Sequence, residues 1–204
     1  MPPRRRLTRE ERLRQLLEVA WQLVRDEGTE ALTLGRLAEQ AGVTKPVVYD
    51  HFATRAGLLA ALYKDFDQRQ TLSMDAAIDA GEQSLFGRAT VIATAYVDCV
   101  LLQGREIPGV IAALASTPEL EKTRREYEAI FLDKCARLFS PFTGAGRLQP
   151  ASLHAMLGAA EALSNAAANG RISAEAARAE LVDVIIAMVA RNSPAPAPPC
   201  KESK

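Results

Sequence analysis

Cysteine, histidine and long apolar runs are scarce in this chain of 204 residues. The three cysteines, Cys99, Cys135 and Cys200, form no CxxC pair, so the sequence predicts no disulfide framework and fits a reducing cytoplasm. The longest uncharged run, residues 148–160, has 13 residues, fewer than the ~18–20 of a membrane-spanning helix. Acidic residues follow the arginine-rich start, so we expect neither a secretory signal nor a membrane partner.

An excess of charge of one sign is also missing from the chain as a whole. The 25 Lys and Arg residues balance 25 Asp and Glu residues, which argues against a protein coated in cations for nucleic acid or anionic lipid. The distribution is uneven, however. Residues 1–64 carry 11 basic and 8 acidic side chains, a net +3, whereas residues 65–204 carry 14 and 17, a net −3. Positive charge is therefore concentrated in the N-terminal third.

β-Branched residues are few, and this predicts the fold class. Ala and Leu number 60 against 20 Val and Ile, and no long stretch alternates apolar with polar residues. We therefore predict an all-α fold of about nine helices, with Gly28 and Gly42 as ends and Thr33, Thr44 and Thr54 as N-caps. Apolar periodicity places the helices near residues 8–27, 34–41, 45–51, 55–80, 84–103, 107–115, 118–139, 150–169 and 173–191.

Two short predicted helices flank Gly42 in a pattern typical of a helix-turn-helix. Ala38 is small enough for two helices to cross closely, Gly42 supplies the turn, and Val48 is an apolar residue that can hold the second helix down. This spacing alone also fits an ordinary helical hairpin. A basic arm before the motif and a helix presenting Lys45 and Tyr49 after it favour nucleic-acid binding.

The segment LTLGRLAEQAGVTKPVVYDHFATRAGLLAALY, residues 32–63, resembles the N-terminal DNA-binding domain of the tetracycline-repressor (TetR) family of bacterial regulators. The capped second helix, the AGVTKP turn, the Tyr-x-His-Phe end of the third helix and the basic residue opening the fourth all match. The resemblance implies an N-terminal three-helix DNA-binding domain with a basic arm, residues 1–63. A larger C-terminal helical domain for ligand binding and dimerisation, residues 64–192, would follow, and the proline-rich residues 193–204 are predicted to be a disordered tail.

The resemblance also implies which residues meet double-stranded DNA. Lys45 could donate to guanine, and Pro46 and Val47 could lie against thymine methyl groups. Alternatively, Thr33 is only a helix cap and Pro46 only starts a helix. The implied DNA-binding residues are Thr33, Thr44, Lys45, Pro46, Val47, Tyr49, His51 and Arg55.

We expect other residues of the N-terminal segment to form an ion pair, a basic arm or the core of the small domain. Asp50 is unusual in a helix meant for DNA, and we expect it to point away from phosphate or to pair with a nearby arginine. The run from Arg4 to Arg6 either reaches DNA or is a solvated terminus. We expect the core of the small domain to contain Trp21, Leu37, Val48 and Phe52.

The last two predicted helices carry more apolar surface than one core-facing stripe requires. Such helices are buried on several sides, either centrally within the subunit or against a second copy of the chain, as in the TetR family. A dimer would also present two recognition helices about one DNA turn, ~34 Å, apart. The expected homodimer interface contains Leu157, Ala162, Ala166, Ile185 and Met188.

In the TetR family the middle helices enclose a pocket, and the resemblance implies a small-molecule effector here. A mostly apolar cavity with a few polar groups would suit a lipophilic ligand, although aromatic residues at helical spacing belong equally to a core. The candidate pocket residues are Tyr96, Asp98, Cys99, Tyr127 and Phe131, with Cys135 on the same predicted helix as the last two.

These observations predict a cytoplasmic, homodimeric transcriptional repressor of a bacterium, released from a palindromic operator by its effector. A helical sensor or partner-binding module that has lost DNA binding is the alternative, favoured by Asp50 and by the zero net charge. An enzyme is disfavoured, because no HExxH, phosphate loop or CxxC exists and spacing ties no nucleophile or acid to His51 or His154. We expect no catalytic residues, no metal and no cofactor.

Overall fold

The computed structural model describes residues 7–106, 108–115, 118–144 and 146–193. Within these residues the chain is helical and has no strand, which confirms the predicted all-α class. The helices are α1 Arg9–Glu27, α2 Leu34–Ala41, α3 Lys45–Phe52, α4 Arg55–Ala80, α5 Leu85–Glu106, α6 Pro108–Leu114, α7 Pro118–Phe139, α8 Pro150–Ala168 and α9 Ala174–Arg191. Apolar periodicity does not predict the two 3-10 helices, Thr29–Ala31 and Ser140–Phe142. The arm from Arg4 to Arg6 and the predicted tail beyond Ser193 lie outside the described residues.

The chain divides into two compact units, and each unit is built from two separate stretches of the sequence. The first unit is formed within Met1–Leu72 and Leu102–Tyr127, and the second within Ser73–Leu101 and Glu128–Lys204. Helix α4 therefore contributes residues to both units. The described part of the predicted DNA-binding domain, residues 7–63, falls within the first unit.

Short polar residues close the helix ends of the first unit. Thr8 and Glu11 form a reciprocal capping box at the start of α1. The Thr33 hydroxyl accepts a hydrogen bond from the backbone N–H of Arg36, at 3.1 Å, and the Thr54 hydroxyl accepts one from Gly57, at 3.0 Å. These bonds confirm the predicted caps at Thr33 and Thr54, which satisfy backbone donors that lack helical partners.

The core of the first unit lies where α1, α2 and α3 meet the start of α4. The predicted core residues Trp21, Leu37, Val48 and Phe52 are all buried, with at most 6% of each exposed. Gly42 adopts the left-handed conformation, φ 63°, that turns the chain from α2 towards α3. The helix-turn-helix predicted from Ala38, Gly42 and Val48 is thus confirmed, since Ala38 and Val48 are buried on either side of this turn.

A polar contact fastens α1 to α4 at the edge of this core. The indole N–H of Trp21 donates to the Asp65 carboxylate at 2.6 Å, and the same carboxylate lies 2.9 Å from the guanidinium of Arg69. The Arg69 guanidinium also lies 4.9 Å from the centre of the Trp21 ring, within the range of a cation–π contact. The first part of α4 is therefore held to α1 by side-chain bonds as well as by apolar packing.

The core of the second unit is apolar and runs through α5, α7, α8 and α9. Fully buried members include Ile92 on α5, Phe139 on α7, Met156 on α8 and Ile185 on α9. Helices α8 and α9 pack extensively on each other. Burial in this core raises the pKa of the Cys135 thiol to about 12, so Cys135 is an inert thiol at neutral pH.

Helix α5 is long and apolar enough to cross a membrane by composition alone, over Leu85–Gln103. The buried residues of this segment, Ile92 and Val97 among them, belong to the core of the second unit. In the same segment Asp98 pairs with Arg178 of α9, with the shorter N–O distance at 2.5 Å. Of this segment 22% is buried, so α5 contributes some of its apolar residues to the core and leaves others partly exposed.

Candidate nucleic-acid interface

Helix α3 buries one face and exposes the other. Val48 and Phe52 point into the core, whereas Lys45, Pro46 and Tyr49 are exposed, Tyr49 by 52%. Because successive residues of an α-helix are rotated by ~100°, these three side chains share one outward arc. The arc combines a cation, an apolar ring and a phenol, which are groups that contact guanine, thymine methyl groups and phosphate.

One edge of this arc faces the start of α2. A Cβ placed on Gly35 would lie 3.8 Å from the Cε of Lys45 and 3.9 Å from the Thr33 hydroxyl oxygen, so these side chains flank Gly35. Thr33 is exposed even though its oxygen caps α2, and a hydroxyl that accepts one bond can still donate another. Capping and DNA contact are therefore compatible at Thr33.

Thr44 differs from Thr33 in its use of the side chain. It is the N-cap residue of α3 through its backbone, and its carbonyl accepts from the N–H of Val47 at 3.0 Å. Its exposed side chain makes no capping hydrogen bond, so the predicted cap at Thr44 holds for the backbone only. Val47 is half-buried, so it contributes less surface to the arc than Pro46 does.

The opposite edge of the arc faces the start of α1. Asp50 pairs with Arg9, whose guanidinium lies 3.3 Å from the Asp50 carboxylate, which confirms the expectation that Asp50 pairs with an arginine. Beside it, half-buried His51 packs near the Phe52 ring. Burial, together with the positive charges of Arg9 and Arg12, lowers the pKa of His51 against the opposing effect of Asp50. His51 is therefore neutral at pH 7.

Arg55, at the start of α4, is committed to the protein backbone. Its guanidinium donates to the carbonyl oxygens of Leu32, at 3.0 Å, and Thr29, at 2.8 Å, and lies 3.8 Å from the Glu30 carboxylate. These bonds fix the segment that leads into α2. The predicted phosphate contact would have to use the part of this half-exposed guanidinium that remains accessible.

The junction between α3 and α4 is short and strained. Ala53 has φ 56° and ψ −51°, and the backbone N–H of Thr54 donates to the Phe52 carbonyl at 2.5 Å. This is a γ-turn with positive φ, a rare conformation for a residue with a side chain. A Cβ on Gly57 would collide with the same Phe52 carbonyl, so glycine is required for α4 to begin this close to α3.

The predicted pocket residues do not all contact one another, and they lie in both units. Tyr96 and Phe131 pack together in the second unit with ring centres 5.3 Å apart, whereas Tyr127 packs against Tyr63 in the first unit at 6.5 Å. Burial and nearby Asp67 raise the pKa of Tyr127 to about 12, so its phenol stays protonated. Asp98 is held by Arg178, and Cys99 is half-buried on the same helix.

The predicted interface residues fall on two different faces of the α8–α9 pair. Leu157, Ile185 and Met188 are buried in the core of their own chain, the last two completely. Ala162 is exposed and Ala166 half-buried on the other side of α8. A second chain packing on these helices would therefore meet the small residues of α8, while Ile185 and Met188 have no surface left to offer it.

Residues 16–62 match the family of bacterial regulatory proteins described as tetR. One similar protein is the HTH-type transcriptional activator FasR of Mycolicibacterium smegmatis, which is 43% identical over 63 residues. This match covers 30% of the chain and 29% of that relative, so the chain spans less than a third of the relative's length.

Solved structures resemble almost the whole chain. A transcriptional regulator of the TetR/AcrR family from Thermobifida fusca is 21% identical with a TM-score of 0.63, covering 86% of this chain and 96% of that one. The multidrug binding protein EbrR, solved with imidazole, is 16% identical with a TM-score of 0.61, covering 95% and 100%. At these identities the likeness concerns the fold.

Proposed function

We propose that the chain, whose residues 16–62 match the tetR family of bacterial regulatory proteins, is a transcriptional regulator that binds a palindromic operator as a homodimer. The observation that carries this proposal is the outward arc of α3, where Lys45, Pro46 and Tyr49 are exposed around a helix anchored by Val48. Polar and apolar groups on one exposed helix face suit the major groove.

The direct test is selection of duplexes from a random pool by the purified protein. Lys45→Ala and Tyr49→Ala are expected to abolish binding to the selected duplex, because each removes a group that faces the bases. Lys64→Ala, which removes one exposed cation from α4, is the matched control and should change affinity little. Normal operator binding by both α3 variants would contradict the proposal. A wild-type protein that selects no duplex would favour the sensor alternative.

The proposed dimer interface uses the small residues on the exposed side of α8. A Cβ at Gly158 would meet no atom within 4 Å, and Ala162 is exposed one turn further along, so a second helix can approach closely there. Ala162→Glu should give monomers with much weaker operator binding, whereas Ala129→Glu on exposed α7 should remain dimeric. Molar mass by light scattering separates these results, and a dimeric Ala162→Glu protein would contradict this interface.

We propose that a small lipophilic effector releases the protein from DNA in the cytoplasm. The apolar, half-buried residues of α5 and the Tyr96–Phe131 contact support a ligand of low polarity. Release requires the effector to favour a conformation that binds DNA weakly, with a coupling of typically ~1–3 kcal/mol. A panel of apolar acids, amines and neutral aromatics tests this by loss of duplex binding.

The regulatory sign is proposed to be repression. A reporter gene placed behind the selected operator should become more active when the protein is removed. The relative FasR is named an activator, and a fall in reporter activity on removal would assign that sign to this chain as well.

A further inference from the structure

Asp50 stands on the exposed part of α3, and Arg9 of α1 contacts both its carboxylate and its backbone carbonyl. Arg9 places Nη1 at 3.3 Å from the Asp50 carboxylate oxygen and donates from Nη2 to the backbone carbonyl of Asp50 at 3.3 Å. The side chains are 72% and 66% exposed, so the contact lies at the surface. Exposed ion pairs contribute little to folding stability, so this contact matters chiefly for where it places the Arg9 guanidinium.

A carboxylate at a DNA-facing edge repels phosphate unless a cation compensates it. Arg9 supplies that cation. A guanidinium has five N–H donors in a planar fork, so one that holds Asp50 through two of them can also donate to phosphate. The pair thus presents phosphate with donors where an isolated Asp50 would present only acceptors.

The other groups at this edge do not replace Arg9. His51 is half-buried and neutral at pH 7, because burial and the neighbouring arginines oppose its protonation. Arg12 directs its guanidinium towards the side-chain oxygen of Gln15 along α1. Arg9 is consequently the cation of α1 that is attached to the recognition helix itself.

On the basis of the proposed operator binding, we infer that Arg9 is a phosphate-binding residue and that Asp50 is its positioning residue. Asp50 holds the guanidinium beside α3 through the carboxylate and the carbonyl, so that α1 and α3 contact the DNA backbone and bases in a fixed register. Lys45 and Thr33 occupy the edge near α2, and the Arg9–Asp50 pair occupies the edge near α1.

A double-mutant cycle tests this inference on the full chain. The proteins are the wild type, Arg9→Gln, Asp50→Asn and the double variant, and the probe is the duplex selected by the wild type, titrated at several salt concentrations. Arg25→Gln is the matched control, because it removes the same charge from the same helix 16 residues, or ~24 Å, away. Circular dichroism and urea midpoints establish that every variant is folded.

We expect Arg9→Gln to weaken binding about tenfold and to lower the slope of log K against log salt by ~0.9 for each phosphate that Arg9 neutralises in the wild type. In the Asp50→Asn background, Arg9→Gln should lower the affinity for the duplex by at most about threefold, because the carboxylate that positions the guanidinium is already absent. Arg25→Gln should bind within about twofold of the wild type.

Three results would overturn the inference while the proposed function stands: additive effects of the two substitutions, wild-type binding by Arg9→Gln, or an equal loss in Arg25→Gln. Each assumes that the wild type binds and that Lys45→Ala does not. If the wild type selects no duplex at all, the proposed function fails and the inference fails with it.

Discussion

The two compact units both have an apolar core, but they differ in the length of the helices around it. Helices α2 and α3 of the first unit have eight residues each, and side chains of Thr33, Thr54 and Arg55 bond the backbone at or beside their ends. The helices α5, α7, α8 and α9, which surround the core of the second unit with Ile92 and Ile185, have 18 or more residues each. The outward side chains of α3 therefore stand on a short helix that is held by local hydrogen bonds as well as by packing, which helps to position a surface that reads DNA.

The largest expected difference between the units is the cost of removing apolar volume. Ile185→Ala in the second unit should lower the free energy of unfolding by about 2–5 kcal/mol, because Ile185 is completely buried. Neighbouring Ile186→Ala is the matched control, and it should cost less because Ile186 is only half-buried. Urea unfolding at constant protein concentration measures both. Equal losses would mean that the core does not lie on the Ile185 face of α9.

A smaller loss is expected at the junction of the first unit. Gly57→Ala forces a methyl group against the Phe52 carbonyl and should destabilise the protein by about 1–3 kcal/mol, with α3 displaced. Gly35→Ala, with its nearest neighbours at 3.8 Å and beyond, should be neutral or slightly stabilising. Unfolding midpoints and the amide spectra of α3 follow both changes. A Gly57→Ala protein as stable as the wild type would show that the junction is not tight.

A modest gain is expected from Ala53→Gly. Positive φ costs a residue with a side chain about 1–2 kcal/mol, and glycine removes that cost while adding freedom to the unfolded chain. The net result should be a stabilisation of up to about 1 kcal/mol. Ala56→Gly, inside α4 and without positive φ, should instead destabilise. A loss at both positions would contradict the strained turn.

The smallest expected effect is a pH dependence at His51. Its pKa in the folded protein is lowered from 6.5, so the unfolded chain binds the proton more readily. This contribution to stability is present above pH ~6.5 and is lost as the pH falls through the lowered value. Below pH ~6.5 the wild type should lose stability more steeply than His51→Gln. Parallel curves in urea unfolding would show that His51 titrates normally.

The contrast between the units also explains what could be predicted from the sequence. Helix ends in the first unit depend on residues three or four positions apart, and the Thr33 cap and the Gly42 turn are predictable from such local patterns. The Arg9–Asp50 pair joins residues 41 positions apart, so only the unusual charge of Asp50 indicates a partner.

In the second unit the sequence identifies apolar helices without deciding which neighbour each apolar face meets. The run LVDVIIAMVA is apolar almost all round, and periodicity cannot distinguish the core of the chain from a partner chain. The sequence predicts Ile185 and Met188 at an interface because α9 is apolar on almost all sides. In the structure, packing with α5, α7 and α8 buries both residues within their own subunit. Non-local packing of this kind is not contained in a local pattern.

The γ-turn at Ala53 has a mechanical consequence. A flexible loop between α3 and α4 would absorb a rotation of α4 by changing its own torsion angles. Here only two residues intervene, one of them is locked by the Thr54–Phe52 bond, and Gly57 rests against the same carbonyl. Because the turn is short and hydrogen-bonded, we expect a rotation of the first turns of α4 to move α3, together with Lys45 and Tyr49, instead of being absorbed by the turn.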